Sequence, residues 1–566
     1  MDNQLPTDFD LIIVGTGMVE SILSAAASRI GKRVLHIDRN EYYGGQWASF
    51  NLDAIQQRVR ENPICHPPEN IAELLQQGEH ALPIGNDLFN IENVSFNWHI
   101  PEQTQTDVQG ISAESETQNL TETSDKENDP DDVTAEPWTK NTLLQNTRKF
   151  NIDLTPKLQY ARGDLVELLI SSNIARYSEY RSVSRVLTWL NGQLEVVPCS
   201  RSDVFANNKV SVIEKRMLMK LLTSLTDAGE ELKDYENKTF HAFLKDKKLT
   251  PNLVHYVLYA ISMSTDQTPC IEGVENTKMF LNSLGRFGKT PFLFSMYGSG
   301  EITQAFCRLS AVFGGIFALS QPLSGLIFDE GGFKSLLVGQ QRIKADHIVM
   351  GIEKSPGTFV ETFTKDYISR AVFITDKSVM ESEKEHLTLL VYPPEKGKNP
   401  VTVIELGSLT GTCPKGTFIV HLISRQSTMP QQDFQHVVQN LFTEESGDST
   451  KPHVLYSLYF SIPDSNGLDL RKNVPKNVYL CPGPDLDLDY DVSIKQAKQI
   501  FNELYPETEF LPRAPDPEEI VIGDEDEANE ETTTEGKADS DTVIDELVRN
   551  IQSQNKVDDS VHGEDA

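Results

Sequence analysis

Apolar residues in this chain fall in short blocks whose spacing changes along its length. An apolar run, Leu11 to Val14, breaks at Gly15-Thr16-Gly17, and an Ala/Ser/Ile-rich stretch of helical spacing follows. A second apolar run, Val34 to Ile37, ends at Asp38. That order predicts a strand, a tight turn, a helix and a parallel strand. Further on, Val183 to Leu190 and Gln193 to Val197 flank Asn191-Gly192, the pair best suited to a two-residue hairpin turn. From Ser200 the spacing becomes helical. Ser211-Val-Ile-Glu214 has the form of a capping box, and Ile213, Met217, Leu218, Leu221, Leu222 and Leu225 fall on one stripe behind it. Thr250-Pro251 predicts a helix start running on to Met263, and a helix over Thr277 to Leu284 is expected to stop at Gly285.

Strand patterns return at Pro291 to Tyr297. After a helix carrying Phe306, Leu309, Val312 and Phe313 they recur from Ser324 to Cys481, before a closing helix over Val492 to Leu504. The expected fold class is therefore α/β (α+β): a discontinuous sheet domain of the FAD/NAD(P)-binding type, interrupted by an all-helical inserted domain. The expected divisions are 1–100 for the βαβ part of the sheet domain, 101–137 for an acidic disordered insertion, and 138–199 for its continuation. The helical insert then takes 200–285, the second part of the sheet domain 286–522, and an acidic disordered tail 523–566.

Charge changes this picture only once it is located. The formal charge of the 566 residues is −33, of which 101–137 carries −10 and 523–566 carries −12. Both tracts are poor in aromatics and rich in Ser, Thr, Asn, Asp and Glu, which argues for solvated linkers and against nucleic acid as a partner. No long apolar run predicts a membrane span. The acidic, polar start MDNQLPTDFD is not expected to act as a secretory signal, nor HGEDA as a prenylation box. The six cysteines are scattered, with no CxxC or Cys/His cluster, so a reduced, cytosolic, metal-free protein is expected. No Ser/His/Asp arrangement, HExxH or P-loop supports catalysis, and no catalytic residue is assigned.

The glycine turn carries the first candidate chemistry. Gly15, Gly17 and Asp38 match a dinucleotide fingerprint, but Glu20 stands where its third glycine belongs. A carboxylate at the start of a helix repels the diphosphate that the backbone NH groups would otherwise hold. An ordinary βαβ without a ligand and a flavin site both remain open at this point. Gly483-Pro-Asp485 lies where flavin enzymes of this fold close on the cofactor, and Pro484 interrupts their usual Gly-Asp pair.

Two longer motifs carry a resemblance. Asp38-Arg-Asn-Glu-Tyr-Tyr43-Gly-Gly45 and Tyr297-Gly-Ser-Gly-Glu301-Ile-Thr-Gln-Ala-Phe-Cys-Arg308-Leu-Ser-Ala-Val-Phe-Gly-Gly315, with the altered fingerprint, resemble the Rab GDP-dissociation inhibitor and Rab escort protein superfamily from about Asp8 to Ile522. The long acidic insertion, the acidic tail, and Ser200-Arg-Ser-Asp-Val-Phe205 leading to Glu214-Lys-Arg216 look more like an escort protein. The resemblance implies a Rab-binding platform at Tyr43, Glu301, Gln304, Arg308 and Phe317, and contacts to the prenyltransferase at Phe205 and Arg216. It also implies an apolar patch for the Rab C-terminal tail on the strand carrying Val372 and Ile374, and a lipid-receiving cavity in the helical insert.

The function so implied is that of a non-catalytic accessory subunit of Rab geranylgeranyltransferase. It would take GDP-bound Rab GTPases, present their C-terminal cysteines to the transferase heterodimer, carry the geranylgeranyl group and deliver the product from cytosol to membrane. No bound cofactor is expected. A dissociation inhibitor that recycles Rabs, or an FAD-dependent oxidoreductase of the same fold, are the competing readings. From the residues alone, Glu301 and Arg308 read as a helix cap and a solvated charge, and the apolar stripe of the insert reads equally as core or as lipid lining.

Overall fold

The structure is a computed structural model and describes residues 5–59, 64–67, 69–100, 138–199, 212–226, 231–360, 366–395, 397–444 and 450–513. The expected acidic tracts and Phe205 lie outside these residues. Two eight-stranded sheets dominate. In the first, Asp8–Val14 pairs in parallel with Val34–Ile37 on one side and with Gln341–Gly351 on the other. Ile316–Ala318 extends the sheet beyond Val34–Ile37, setting Phe317 opposite His36. Gly332–Val338, Leu323–Asp329 and His80–Leu82 continue the opposite edge, and Val478–Cys481 pairs in parallel with Gln341–Gly351.

The helix that follows the glycine turn, Met18–Arg29, is buried from Met18 through Ser28. Its alanines and serines admit close neighbours. It packs against the helices Gly300–Val312 and Asp491–Leu504, and the Ser24 and Ser28 hydroxyls meet the Ser310 hydroxyl at 2.8 and 2.9 Å. The helix is buried nearly all round, and here sheet and helices enclose it on both sides, with its serines hydrogen-bonded inside.

The second sheet runs Gln193–Val196, Arg185–Leu190, Thr388–Tyr392, Val401–Leu406, Phe418–Arg425, Asp366–Thr375, Val454–Asp464, Glu92–Trp98. Its hairpin turns at Asn191 and Gly192 with φ of +54° and +82°, the left-handed pair that the Asn-Gly sequence supplies at least cost. Pro430–Leu441 covers one face. The other shares a core with the helical segment built from Val212–Thr226, Phe240–Asp246, Pro251–His255 and Cys270–Ser283.

That segment departs from its sequence reading in three ways. Pro251–His255 continues as a π-helical turn over Tyr256–Ile261. The last helix starts at Cys270, directly after Pro269, seven residues before Thr277; its first turns carry little apolar period, so the spacing does not show them. Ile213 is 71% exposed and leaves the stripe, whereas Leu218, Leu221 and Leu225 are buried. Ser211 of the expected capping box lies outside the described residues, and Glu214 accepts the Thr250 hydroxyl at 2.7 Å.

Candidate functional site

The glycine turn is closed from within. Gly15 has φ +101°, and Glu20, 2% exposed, folds its carboxylate back over the turn. One oxygen lies 2.6 Å from where a Cβ on Gly17 would stand, and Glu353 presents its own carboxylate to Gly351 alongside. Burial first, and Glu353 second, raise the Glu20 pKa well above the ordinary carboxyl value, and its Oε2 has no hydrogen-bond partner. Asp38 is equally committed to the interior. Its oxygens accept the Thr16 hydroxyl at 3.3 Å and the Asn40 amide at 3.1 Å, with Lys354 Nζ 3.8 Å away. His36, which burial lowers to about 4 and so keeps neutral, donates Nε2–H to the Gly15 carbonyl at 2.6 Å. These residues do not fit a dinucleotide diphosphate: a carboxyl group fills its cradle, and the ribose-side acid has internal partners.

A second helix start lies nearby and is built for the opposite purpose. Phe292–Ser295 leads through Tyr297-Gly-Ser-Gly into Gly300–Val312. Gly298, at φ +112°, and Gly300 approach Ser49 so closely that a Cβ at either would meet it at 2.6 or 2.8 Å. Asp153, fully buried, accepts the Ser299 amide at 2.9 Å and the Ser49 hydroxyl at 2.5 Å. Ser49 Oγ in turn accepts the Gly300 amide at 3.0 Å. Two of the helix-start NH groups are thus satisfied by side chains, buried Asp153 and half-buried Ser49, rather than water. Desolvation pushes the Asp153 carboxyl up to about 6, against the lowering effect of these hydrogen bonds.

With Ile302, Ala305, Phe306 and Leu309 turned into the core, the opposite stripe of this helix presents Glu301, Gln304 and Arg308. Gln304 and Arg308 are exposed, and Gln304 Nε2 donates to Glu301 Oε1 at 3.3 Å. The Arg308 guanidinium stands 5.8 Å from the Tyr177 ring centre. Burial raises the Glu301 pKa, and Arg308 partly offsets it. Tyr43 and Phe317 meet edge to face at 6.1 Å, and Phe317 lies 4.8 Å from the His36 ring. Burial raises the Tyr43 hydroxyl, with Cys307 of the same helix adding to it. Gly44, next to Tyr43, donates its amide to the Thr16 hydroxyl at 3.0 Å, tying this loop to the glycine turn. The outer stripe of the helix is polar, and the Tyr43 loop adds an aromatic pair with Phe317; Tyr and Arg are residue types that supply binding hot spots.

The other expected site residues fare differently. Arg216 is exposed on Val212–Thr226, three residues from exposed Ile213. Val372 and Ile374 do not form a surface patch. Their strand is paired on both sides, and both side chains have no exposure because they face the core shared with the helical segment. Arg370, on the same face, donates Nε–H to the Leu154 carbonyl at 3.0 Å, while Ala371 and Phe373 fill the other face. Asp153 and Ser49 escaped the sequence reading. The available signal was an acid between Ile152 and Leu154, an unusual place for a solvated charge.

A cleft of about 1270 Å³ opens between Cys270–Ser283 and the segment after Asp485. Met279 and Leu486 share it with Glu272, Glu275, Asp487 and Asp489, a lining too charged to suit a lipid chain. Among the described residues no group of three or more His, Cys, Asp and Glu side chains is placed to hold a metal ion. No helix among them is long and apolar enough to cross a membrane.

The two-sheet frame around the closed glycine turn is an architecture shared with a solved Rab GDI and with a solved oxidoreductase. Consistent with this, residues 1–75 match the family described as GDP dissociation inhibitor, and 368–486 match the RAE1/2 domain I, C-terminal region. A solved Rab GDI from Plasmodium falciparum superposes with a TM-score of 0.59 at 18% identity, over 89% of this chain and 100% of that one. An oxidoreductase from Methanosarcina mazei does so at 0.50 and 10% identity, over 87% and 100%. Among curated relatives, Rab proteins geranylgeranyltransferase component A 1 of Rattus norvegicus is 36% identical over 92% of this chain and 94% of its own. Component A 2 of Homo sapiens is 35% identical over 98% and 99%. The Rab GDP-dissociation inhibitor of Saccharomyces cerevisiae is 25% identical over 77% and 83%. The chain belongs to the Rab geranylgeranyltransferase component A family, the Rab escort proteins.

Proposed function

We propose that this chain acts as the escort subunit in Rab prenylation. It binds a GDP-loaded Rab GTPase through Tyr43, Glu301, Gln304, Arg308 and Phe317, and offers the flexible Rab C-terminus to the transferase heterodimer. It then holds the geranylgeranylated product and releases it at a membrane, working otherwise in the cytosol. The observation that carries the reading is the outer stripe of Gly300–Val312. It is pinned at its start by Asp153 and Ser49, while Tyr43 and Phe317 pair edge to face on a loop and a strand tied to the glycine turn. The chain's contribution is proximity: it holds a poorly structured substrate segment where the partner's chemistry can reach it.

No flavin takes part in this reading, since Glu20 occupies the diphosphate position. Arg216 is kept as a transferase contact because it stands clear of the fold on an exposed helix face. The lipid goes to the helical segment. Burying a prenyl chain contributes roughly 0.8 kcal/mol per methylene, enough to compete with a bilayer for a singly anchored protein. Phe240, Phe243, Leu221 and Leu225 are packed against one another there, with Phe240 pressed on Gly273, so lipid entry requires these helices to part.

The test is reconstitution with purified components. Geranylgeranyl transfer to full-length Rab by the heterodimer is expected to depend on this chain and to fail with Arg308→Ala. Equal turnover in its absence contradicts the proposal.

A further inference from the structure

Two of the large apolar side chains that stand exposed among the described residues lie at the two ends of one helix. Tyr297, 47% exposed, stands three residues before the first residue of Gly300–Val312, and Val312, 61% exposed, is its last. The spacing is telling. Glu301, Gln304, Arg308 and Val312 follow one another at intervals of three and four residues, so Val312 continues the outer stripe. At about 1.5 Å per residue the stripe from Glu301 to Val312 runs for roughly 16 Å.

Tyr297 is also held in an unusual backbone conformation. Its φ is +66°, in the left-handed region, where an aromatic side chain is strained and a glycine is not. The Tyr297 amide donates to the Thr410 carbonyl at 2.9 Å. Its ring rests on Gly411 so closely that a Cβ there would lie 2.6 Å from a ring carbon. One face of the ring is thereby fixed while nearly half of the residue remains open to solvent. Strain kept at an exposed position, without an interior contact that needs the whole side chain, marks a functional residue. A ring already immobilised also loses little freedom on binding.

We infer that the docking surface spans the full length of this helix, with Tyr297 and Val312 as apolar anchors at either end of a polar centre formed by Gln304 and Arg308. The inference rests on the Rab-binding reading above, and its occupant is the same GDP-loaded GTPase. The complementary surface must then offer two apolar contacts separated by polar or acidic groups facing Arg308.

The full-length chain with Tyr297→Gly, Tyr297→Phe, Val312→Ser and Arg308→Ala is compared for affinity to GDP-loaded Rab, melting temperature and self-association. Tyr297→Gly is expected to weaken binding by roughly tenfold or more, while melting at the same or a higher temperature because the strain is relieved. Tyr297→Phe should bind nearly as the parent does, and Val312→Ser should lose several-fold. If Tyr297→Gly and Val312→Ser bind normally while Arg308→Ala does not, the anchors are refuted and the Rab reading stands. If Arg308→Ala also binds normally, both fall. A change in self-association with unaltered GTPase affinity refutes the proposal in favour of a second copy as the occupant.

Discussion

Two helices in this protein begin at a buried carboxylate, and the carboxylates do opposite things. Glu20 sits in the first turn of Met18–Arg29 with one oxygen unpartnered, beside a second, half-buried acid, Glu353. Asp153 sits at the start of Gly300–Val312 and receives an amide and a hydroxyl. The first helix is enclosed, and its acid fills space that a ligand would need. The second is half exposed, and its acid fixes the start of a surface stripe. A helix N-terminus attracts negative charge in both cases. Whether that charge closes a site or organises one depends on what lies on the far side of the helix.

The contrast is tested most strongly at the exposed stripe. Arg308→Glu should reduce binding of GDP-loaded Rab by about 100-fold or more, as expected for a reversed hot-spot charge. The melting temperature should not change, because the side chain is exposed. Calorimetric titration checks both the affinity and the stoichiometry.

Asp153→Ala should have the next largest effect, and on a different quantity. It strips an acceptor from the Ser299 amide and the Ser49 hydroxyl, at a cost of about 2–3 kcal/mol in folding stability. Thermal unfolding reports the loss, and Rab affinity should fall with it because the stripe is no longer held at its start. Retained stability would mean that the helix start finds water instead.

Glu20→Gln should give the smallest change and the most diagnostic pH dependence. The folded pKa of Glu20 is raised, so the folded chain binds this proton more tightly than the unfolded chain does. Its contribution to stability is complete below the unfolded carboxyl value and is lost as pH rises toward the folded one. The variant cannot ionise, so its melting temperature should match the parent near pH 4 and exceed it at pH 8. Asp153, at about 6, gives the same sign over roughly pH 4 to 6. Rab affinity of Glu20→Gln should be unaltered, since the cradle is interior.

What could be read from the sequence was local. The glycine turn, the Asn-Gly hairpin and the flanking strands depend on residues adjacent in the chain, and Gly15, Asn191 and Gly192 adopt the left-handed geometry their types favour. The stripe of Glu301, Gln304 and Arg308 was legible because helical spacing alone places them together. Asp153 was not: it acts on Ser299 across 146 residues, and no periodicity records such a contact. Val372 and Ile374, placed on a surface patch by the family resemblance, misled because a strand with bulky residues on both faces does not tell which face a second layer covers. Ile213 misled for the converse reason, since it keeps the helical period where no neighbour covers it.

The central claim is that the partner is gripped on the outer face of Gly300–Val312 while the ancestral ligand position stays closed. Hydrogen exchange of the full chain, free and with GDP-loaded Rab, tests it directly. Protection is expected over the segment from Tyr297 to Phe317 and around Tyr43, with the strand Asp8–Val14 unaffected. Protection confined to other surfaces, or stoichiometric flavin released from the purified chain, would contradict it.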